Sequence, residues 1–321
     1  MKKFYVILLF FICLYGNAQI INFPDAELKA KLLSASPSNQ TAKDLNGNYV
    51  EIDTNNNNEI EVSEALAVYY LDANNIGLNP NINSYITDLS GLNYFVNLQY
   101  FDFTFNKVES YDFSNLINLV TLKMNYNSTL NNINLSNLIN LQNFQCYGGN
   151  LNSIDFSDCI SLVSVATDAR DFVNLKNGSL ESNLFLSSLL TFLCVDDEQL
   201  FNINSNLQQY GLSLNCNVNS YCSFTPGGTF YEISGNTKLD SNNNGCDTSD
   251  INYSNLNFSI TDGTNTGSLI ANQTGNYYIP VSAGIHTITP NLENPTYFNI
   301  SPTSFTVNFP IQTSPFTQDF C

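Results

Sequence analysis

Between Asp53 and Glu64 the chain reads DTNNNNEIEVSE, and its oxygen-bearing side chains are spaced to suit a hard cation. With Asp53 as position 1, Asn55 and Asn57 stand at 3 and 5, Glu59 at 7, Glu61 at 9 and Glu64 at 12. Alternate side chains of a tight loop converge on one point. The carbonyl of the seventh residue adds an oxygen, and a carboxylate at the twelfth can close the shell with two more. That chemistry is calcium binding. Asn58 stands where glycine is usual, and asparagine tolerates the left-handed backbone better than most residues. The plainer reading is an asparagine-rich surface turn; Glu64 weighs against it, because a bidentate carboxylate does most of the selecting.

Other chemistry is sparse. His286 is the only histidine, and it falls in an alternating run that reads as a strand. No Ser–His or Cys–His nucleophile pair and no histidine-based zinc site can be assembled around it. Asp196, Asp197 and Glu198 could supply two carboxylates for glycoside hydrolysis, but a solvated edge of the last repeat is the better reading. The sequence therefore reads as non-enzymatic. The full 321 residues carry a net charge of −18 with only 12% charged residues. Nucleic acid is excluded as a partner, since phosphate binding needs clustered lysine and arginine.

The elements that would position these groups are repeats. ITDLSGLNYFVNLQYFDFTFNKV from Ile86, ESYDFSNLINLVTLKMNYNSTL from Glu109, NNINLSNLINLQNFQCYGGNL from Asn131 and NSIDFSDCISLVSVATDARDF from Asn152 share the pattern L-x-x-(L/F/V)-x-(hydrophobic)-x-x-N. Leu98, Leu119, Leu141 and Leu162 open successive copies at spacings of 21, 22 and 21 residues, and a looser fifth opens at Leu189, with LTFLC as its strand. This resembles the leucine-rich repeat family, in its short, internalin-like type. The resemblance implies a solenoid of short parallel strands on a concave face with little helix. Phe101, Phe103, Leu122, Met124, Phe144 and Val165 then point inward, and Asn106 and Asn127 form a ladder between coils that fails at Gly149 and Arg170. Solvent would see Tyr100, Asp102, Thr104, Thr121, Lys123, Asn125, Asn143, Gln145, Tyr147, Ser164, Ala166 and Asp168. Phe105 and Tyr126 occupy equivalent positions, with Tyr147 one place earlier in the next copy. Exposed aromatics beside Asn, Asp and Lys can stack on sugar rings or anchor a protein. The candidate ligand-binding set is Tyr100, Asp102, Phe105, Lys123, Tyr126, Tyr147 and Asp168; scattered exposed aromatics are also ordinary.

Upstream, Pro24 and Asp25 suit a helix start, and Ala26, Leu28, Leu32 and Leu33 form one stripe, as an N-terminal cap over the first coil requires. VYYLDANNIGLNPNINSYITDLSGL reads as an irregular first repeat with an insertion around Pro80. The loop at Asp53 resembles an EF-hand calcium loop. No paired EF-hand accompanies it, so the ion would be structural, tying cap to repeats.

From about Ser223 polar and apolar residues alternate at period two between Gly and Asn turns, as in strands. The run GNYYIPVSAGIHTITP resembles β-sandwich modules of bacterial surface proteins, of the SdrD B-like or carboxypeptidase regulatory-like kind. That resemblance, over about residues 229–309, implies an all-β sandwich. It also implies that LDSNNNGCD binds calcium through Asp240, Asn242 and Asn244, with Asp247 and Asp250 beyond; Ile251 at position 12 departs from the pattern, and a plain Asn-Gly turn competes evenly. Among the cysteines, Cys146 and Cys159 take apolar repeat positions and read as core. Cys194 and Cys216 are the disulfide candidates, while the pairing of Cys222, Cys246 and Cys321 is not legible.

MKKFYVILLFFICLYGNAQ reads as a secretory signal peptide cut after Ala18 or Gln19, and no later apolar run is long enough to span a membrane. The expected organisation is a signal at 1–18, a cap with the calcium loop at 19–85, repeats and a C-terminal cap at 86–222, and a β-sandwich at 223–321. This order resembles secreted surface proteins of Bacteroidota, which commonly continue into a sorting domain for type IX secretion; ending at Cys321 without one, the chain is expected to be a piece of a longer protein. The expected function is recognition or adhesion outside the cell, with a protein or glycan bound on the repeats and calcium as a structural ion. The alternatives are a structural matrix or stalk segment without a discrete ligand, and an accessory module of a polysaccharide-degrading enzyme.

Overall fold

The computed structural model describes residues 19–75, 84–214 and 216–321. The leader read at 1–18 and the insertion around Pro80 lie outside the described residues. The first element is the helix Ala26–Leu33, capped by Asp25, whose side chain accepts from the Leu28 amide. Leu28 and Leu32, one turn apart, are fully buried, as amphipathic spacing requires. The stripe is narrower than expected, because Ala26 is exposed and Leu33 only half-buried.

The chain then winds as a solenoid. Tyr70–Asp72, Tyr100–Asp102, Thr121–Lys123, Asn143–Cys146, Ser164–Thr167 and Asn183–Phe185 form a parallel front sheet, and the cap strand Ala42–Lys43 closes its first edge in antiparallel sense. The 21- to 22-residue period becomes straight columns. Tyr70, Tyr100, Thr121, Asn143, Ser164 and Asn183 are successive partners across the sheet. A second parallel sheet flanks the same core and runs through Ser153–Asp155, Phe172–Asn174, Phe192–Cys194 and Asn217–Asn219. Ahead of it Ser110–Asp112 pairs with Asn132–Asn134. Phe101, Phe103, Leu122, Met124, Phe144 and Val165 fill the interior with no exposure, and Leu116, Leu138 and Cys159 meet them from the other side. Each such side chain contributes about 1.5–3 kcal/mol of burial.

The fifth copy differs from expectation. The front sheet continues at Asn183–Phe185, whereas Phe192–Cys194 belongs to the second sheet. Leu190, read as opening a front strand, closes the connecting turn through its amide to the Ser187 carbonyl, 3.1 Å. Leu189 itself is 63% exposed. LTFLC resembles the front strands in composition, but burial in both sheets selects the same residue types.

The asparagine ladder forms as expected. Asn106 is buried, donating to the Ala73 carbonyl at 3.0 Å and the Phe103 carbonyl at 2.8 Å while accepting from the Ile86 amide at 2.9 Å. Asn127, also buried, donates to Phe103 and Met124 carbonyls at 3.0 and 3.1 Å.

The C-terminal part is an all-β unit with a core of its own, including Ile233, Phe258, Ile279, Ile288, Val307 and Phe320. Tyr231–Asn236, Asn276–Val281 and Phe316–Thr317 form one of its sheets. The other, made of Phe305–Phe309, Gly284–Asn291, Asn257–Thr261 and Thr266–Ile270, does not end at the unit's border. Thr266–Ile270 joins Asn217–Asn219 through the antiparallel pair Asn219 and Leu269, so one eight-stranded sheet crosses both parts of the chain. On the outer face of that sheet Phe172, Phe192 and Cys194 pack under Cys222 and Phe224 of the connecting segment.

Candidate recognition face

After each front strand the chain must turn so that the ladder asparagine can enter the core. The turning residue has left-handed backbone: Phe105 at φ 59°, Tyr126 at φ 57° and Gly148 at φ 66° in three successive coils. Glycine adopts this conformation at no steric cost, whereas a bulky residue loses about 1–2 kcal/mol. The fold needs only the glycine, as the third coil shows, yet two coils hold aromatic rings there. Those rings stack, with centroids 4.5 Å apart and planes 13° off parallel. Phe105 remains 39% and Tyr126 54% exposed. Tyr126 also lies over the next coil, since a β-carbon on Gly148 would come within 2.7 Å of its ring. Left-handed backbone at bulky residues costs stability and clusters at ligand clamps and other functional sites.

Tyr147 is less exposed and holds its amide 3.0 Å from Asn125 Oδ1. Burial, and then the charge of Asp168, pushes its phenol above the ordinary value. Asp168 Oδ2 accepts from the Gly148 amide at 2.7 Å and so shapes this edge, while its buried Oδ1 has no hydrogen-bond partner among the described residues.

On the sheet itself the structure adds a row that the sequence reading missed. Tyr70 and Tyr100 stack at 4.3 Å and 11°. Lys43 sits 4.6 Å from the centroids of both Tyr49 and Tyr70, and Lys123 sits 5.5 Å from that of Tyr100. Cations over ring faces are attracted by the ring quadrupole, so the row is a continuous lysine–tyrosine stack. The missed signal was the tripeptide Tyr70-Leu71-Asp72, which repeats Tyr100-Phe101-Asp102 one coil earlier. Asp72 and Asp102 are consequently neighbours. Burial raises the Asp72 carboxyl above its ordinary range, helped by the Asp102 charge, against the Asn74 amide. Asp102, Thr104 and Ala166, expected to face solvent, are buried at 7%, 5% and 7%. Asp102 lies between Asp72 and Lys123 of the adjacent strands, with the Tyr100 hydroxyl 3.5 Å from its Oδ2, and Ala166 lies between Gln145 and Phe185.

The two cation-type loops share one backbone design. At the first, Asp53 Oδ1 accepts from Asn57 N at 3.1 Å, Asp53 Oδ2 from Asn58 N at 2.9 Å, and Asn55 Oδ1 from Asn57 N at 3.0 Å. At the second, Asp240 Oδ1 accepts from Asn244 N at 3.2 Å, Asp240 Oδ2 from Gly245 N at 2.8 Å, and Asn242 Oδ1 from Asn244 N at 3.1 Å. Asn56 and Asn58 have positive φ, as do Asn243 and Gly245. Glu61 closes the first loop, accepting from the Asn55 and Asn57 side-chain amides at 3.2 and 2.7 Å. Glu64 instead takes the Thr54 amide and hydroxyl and the Glu61 amide. Asp250 repeats that last bond, to the Asp247 amide at 2.8 Å. The second loop is thus one residue shorter, and its closing carboxylate is Asp250, not position 12. The Glu59 side chain is engaged outside the loop, 2.7 Å from Lys29. Among the described residues no group of three or more His, Cys, Asp or Glu side chains is placed to hold a metal. A hard cation at this loop would be held by Asp53, Asn55, Asn57 and Glu61, the two amides, which here give their nitrogens to Glu61, turning to present oxygen.

The disulfide expectation is corrected. Cys194 pairs with Cys222, and Cys246 with Cys321, at Cα separations of 6.0 and 5.8 Å. Cys216 is a free buried thiol, as are Cys146 and Cys159. The reason is a matter of faces. Cys194 points out of the second sheet toward the connecting segment, whereas Cys216 belongs to the solenoid core. Burial pushes the Cys216 thiol up to about 12. His286 is buried between the Tyr221 hydroxyl, 2.8 Å from Nδ1, and the Ser282 carbonyl, 2.9 Å from Nε2. Asp196, Asp197 and Glu198 form the start of the helix Asp197–Ser205 rather than a repeat edge.

No helix among the described residues is long and apolar enough to cross a membrane. No family model and no curated protein matches the chain. Solved structures that match include an internalin (inlF) from Listeria monocytogenes, 16% identical, covering 57% of this chain and 60% of that one at a TM-score of 0.29. The chain thus spans three-fifths of that internalin's length. It is similar to the internalin in part, and its own side chains carry the functional reading.

Proposed function

We propose that this chain is an extracellular recognition module that captures a protein or glycan on the front side of its solenoid, with Phe105 and Tyr126 as the anchor and Tyr147, Tyr100 and Lys123 around it. The observation that carries the reading is the exposed aromatic stack held on left-handed backbone where the fold itself needs only glycine. Aromatic anchors surrounded by polar groups concentrate binding energy. The leader at 1–18 supports export, and the all-β unit, read as a sandwich module, would act as a rigid spacer. Calcium is proposed as a structural ion at the Asp53 loop and, through Asp240, Asn242 and Asn244, at the second.

The test is binding of residues 19–321 to a glycan array and to whole cells, in calcium and in chelator. Specific binding lost in Phe105→Ala/Tyr126→Ala/Tyr147→Ala places the site on the solenoid. Binding that the triple variant retains refutes it. A stalk without a discrete ligand is the second reading; the sheet that runs unbroken between the two parts and the Cys194–Cys222 bridge favour it. Absence of binding to both surfaces would move the assignment there.

A further inference from the structure

Where the solenoid meets the C-terminal β unit there is a cleft of about 760 Å³. One wall is the helix Asp197–Ser205 and the turn Leu207–Tyr210; the other comes from the strands Asn257–Thr261, Thr266–Ile270 and Asn276–Val281 and their loops. The walls are held in one relation by three features. The eight-stranded sheet runs beneath them through the Asn219 and Leu269 pair. The Cys194–Cys222 bridge staples the connecting segment to that sheet. Ser220, at the crossing, accepts at its Oγ from the Ser268 amide, 2.8 Å. A cleft so braced is formed before any ligand arrives, which lowers the ordering cost of binding.

The chemistry of the wall is narrow. Asparagine and glutamine make up roughly half of its lining residues. Glu293 is its one charged side chain, in a chain with a net charge of −18. Among the described residues nothing hydrogen-bonds the side-chain amides of Asn204, Gln208, Gln209 or Gln273. An amide offers both donors and an acceptor, which is the complement of a hydroxyl. Without lysine or arginine, the wall offers an anion no opposite charge. Phe201 stands at the rim, 75% exposed, although its helix neighbours Leu200 and Ile203 are buried. Leu214, 51% exposed, also lines the cleft. A half-buried Tyr278 completes the apolar side, its hydroxyl 3.1 Å from Glu232. Asn257–Thr261 and Thr266–Ile270 are paired on both sides, whereas Asn276–Val281 is the end strand of its own sheet, so the gelatin arm of the test below decides between sugar and peptide.

We infer that this junction cleft is a second binding site, for a neutral oligosaccharide, with Phe201 stacking on a sugar ring and Gln208 and Gln273 bonding its hydroxyls from opposite walls. The experiment is affinity electrophoresis of residues 19–321 through gels containing laminarin, galactomannan, arabinoxylan or soluble starch as neutral probes, with polygalacturonate and gelatin as anionic and peptide comparisons. Retardation by at least one neutral polysaccharide is expected. It should weaken at least tenfold in Phe201→Ala and in Gln208→Ala/Gln273→Ala, at unchanged melting temperature, and persist in Phe105→Ala/Tyr126→Ala. No retardation by any neutral probe, or retardation only by polygalacturonate or gelatin, would overturn the inference. So would retardation that the cleft variants leave unchanged. Loss confined to Phe105→Ala/Tyr126→Ala would assign the sugar to the front face and overturn the cleft alone.

Discussion

The asparagine ladder allows a quantitative test of what holds the coils together. The Phe103 carbonyl accepts from two side chains at once, Asn106 Nδ2 at 2.8 Å and Asn127 Nδ2 at 3.0 Å. Asn106→Ala also strips the buried Ile86 amide of its acceptor, 2.9 Å away, and the Ala73 carbonyl of its donor, 3.0 Å away. A buried polar group left without a partner costs about 1–3 kcal/mol. With the Ile86 amide and the Ala73 carbonyl orphaned, the Phe103 carbonyl weakened and a small cavity left, Asn106→Ala should cost about 3–4 kcal/mol. Asn127→Ala should cost less, about 2 kcal/mol, because its bond from the Val108 amide is already long at 3.3 Å. In either single variant the Phe103 carbonyl keeps one donor; in the double variant it has none. The two changes should therefore be more than additive, by about 1 kcal/mol, as expected for residues sharing a partner. Urea unfolding of residues 19–321, followed by circular dichroism, measures all three. A single-variant loss below 1 kcal/mol, or strict additivity of the pair, would refute the claim that these side chains carry the coil-to-coil bonding.

Four further outcomes follow from the same geometry. Tyr126→Gly should change stability by less than about 1 kcal/mol, since relief of left-handed strain offsets the lost stacking, while abolishing ligand capture; a large stability loss by thermal melting would show the ring to be structural. Asp25→Ala should cost about 1–2 kcal/mol. Burial raises the Asp25 carboxyl, but bonds from Leu28, Thr87 and Asp88 outweigh it and leave it below its ordinary value of 3.8; its contribution is complete above that pH and fades as pH falls through the lower folded value, so wild type and variant should converge in acid melts. Removing the Cys194–Cys222 bridge, which closes 28 residues, should cost about 3.5 kcal/mol by loop entropy, measured as the urea midpoint of Cys194→Ala/Cys222→Ala, whereas Cys216→Ala leaves the bridge intact. Calcium should raise the melting temperature relative to chelator, by mass action on the folded state, and Asp53→Ala/Asp240→Ala should remove that difference; equal melts of the unmodified chain in both buffers would count against both loops.

What was readable in advance was whatever repeats. A solenoid is quasi-one-dimensional, each coil touching only its neighbours, so the spacing of Leu98, Leu119, Leu141 and Leu162 sets strand register directly, and Tyr100 meets Thr121 and Asn143 as the pattern demands. The inward positions Phe103, Met124 and Cys146 and the inward asparagines Asn106 and Asn127 follow from the same local period. The candidate site was partly readable: Phe105 and Tyr126 are equivalent by register, but nothing local says that their backbone is left-handed or that the rings touch. Tyr70, Asp72 and Lys43 were hidden because the irregular first coil breaks the spacing that would have aligned them.

The coil period, the columns of the regular coils and the buried ladder were legible in the chain alone, because each depends on residues within a coil's length of one another. Longer-range packing fixed the remainder, including which carboxylate closes each cation-type loop: Glu61 at the first and Asp250 at the second. Phe192–Cys194 lies in the second sheet because burial on either flank of the core selects the same apolar residues, and only the closed coil shows which flank it reaches. Cys194 meets Cys222 rather than Cys216 because the pairing depends on which face of a sheet each sulfur leaves. The sheet crosses from Asn219 to Leu269 because two edges 50 residues apart in sequence come to lie side by side, a juxtaposition set by the packing of two cores and by no periodicity in either.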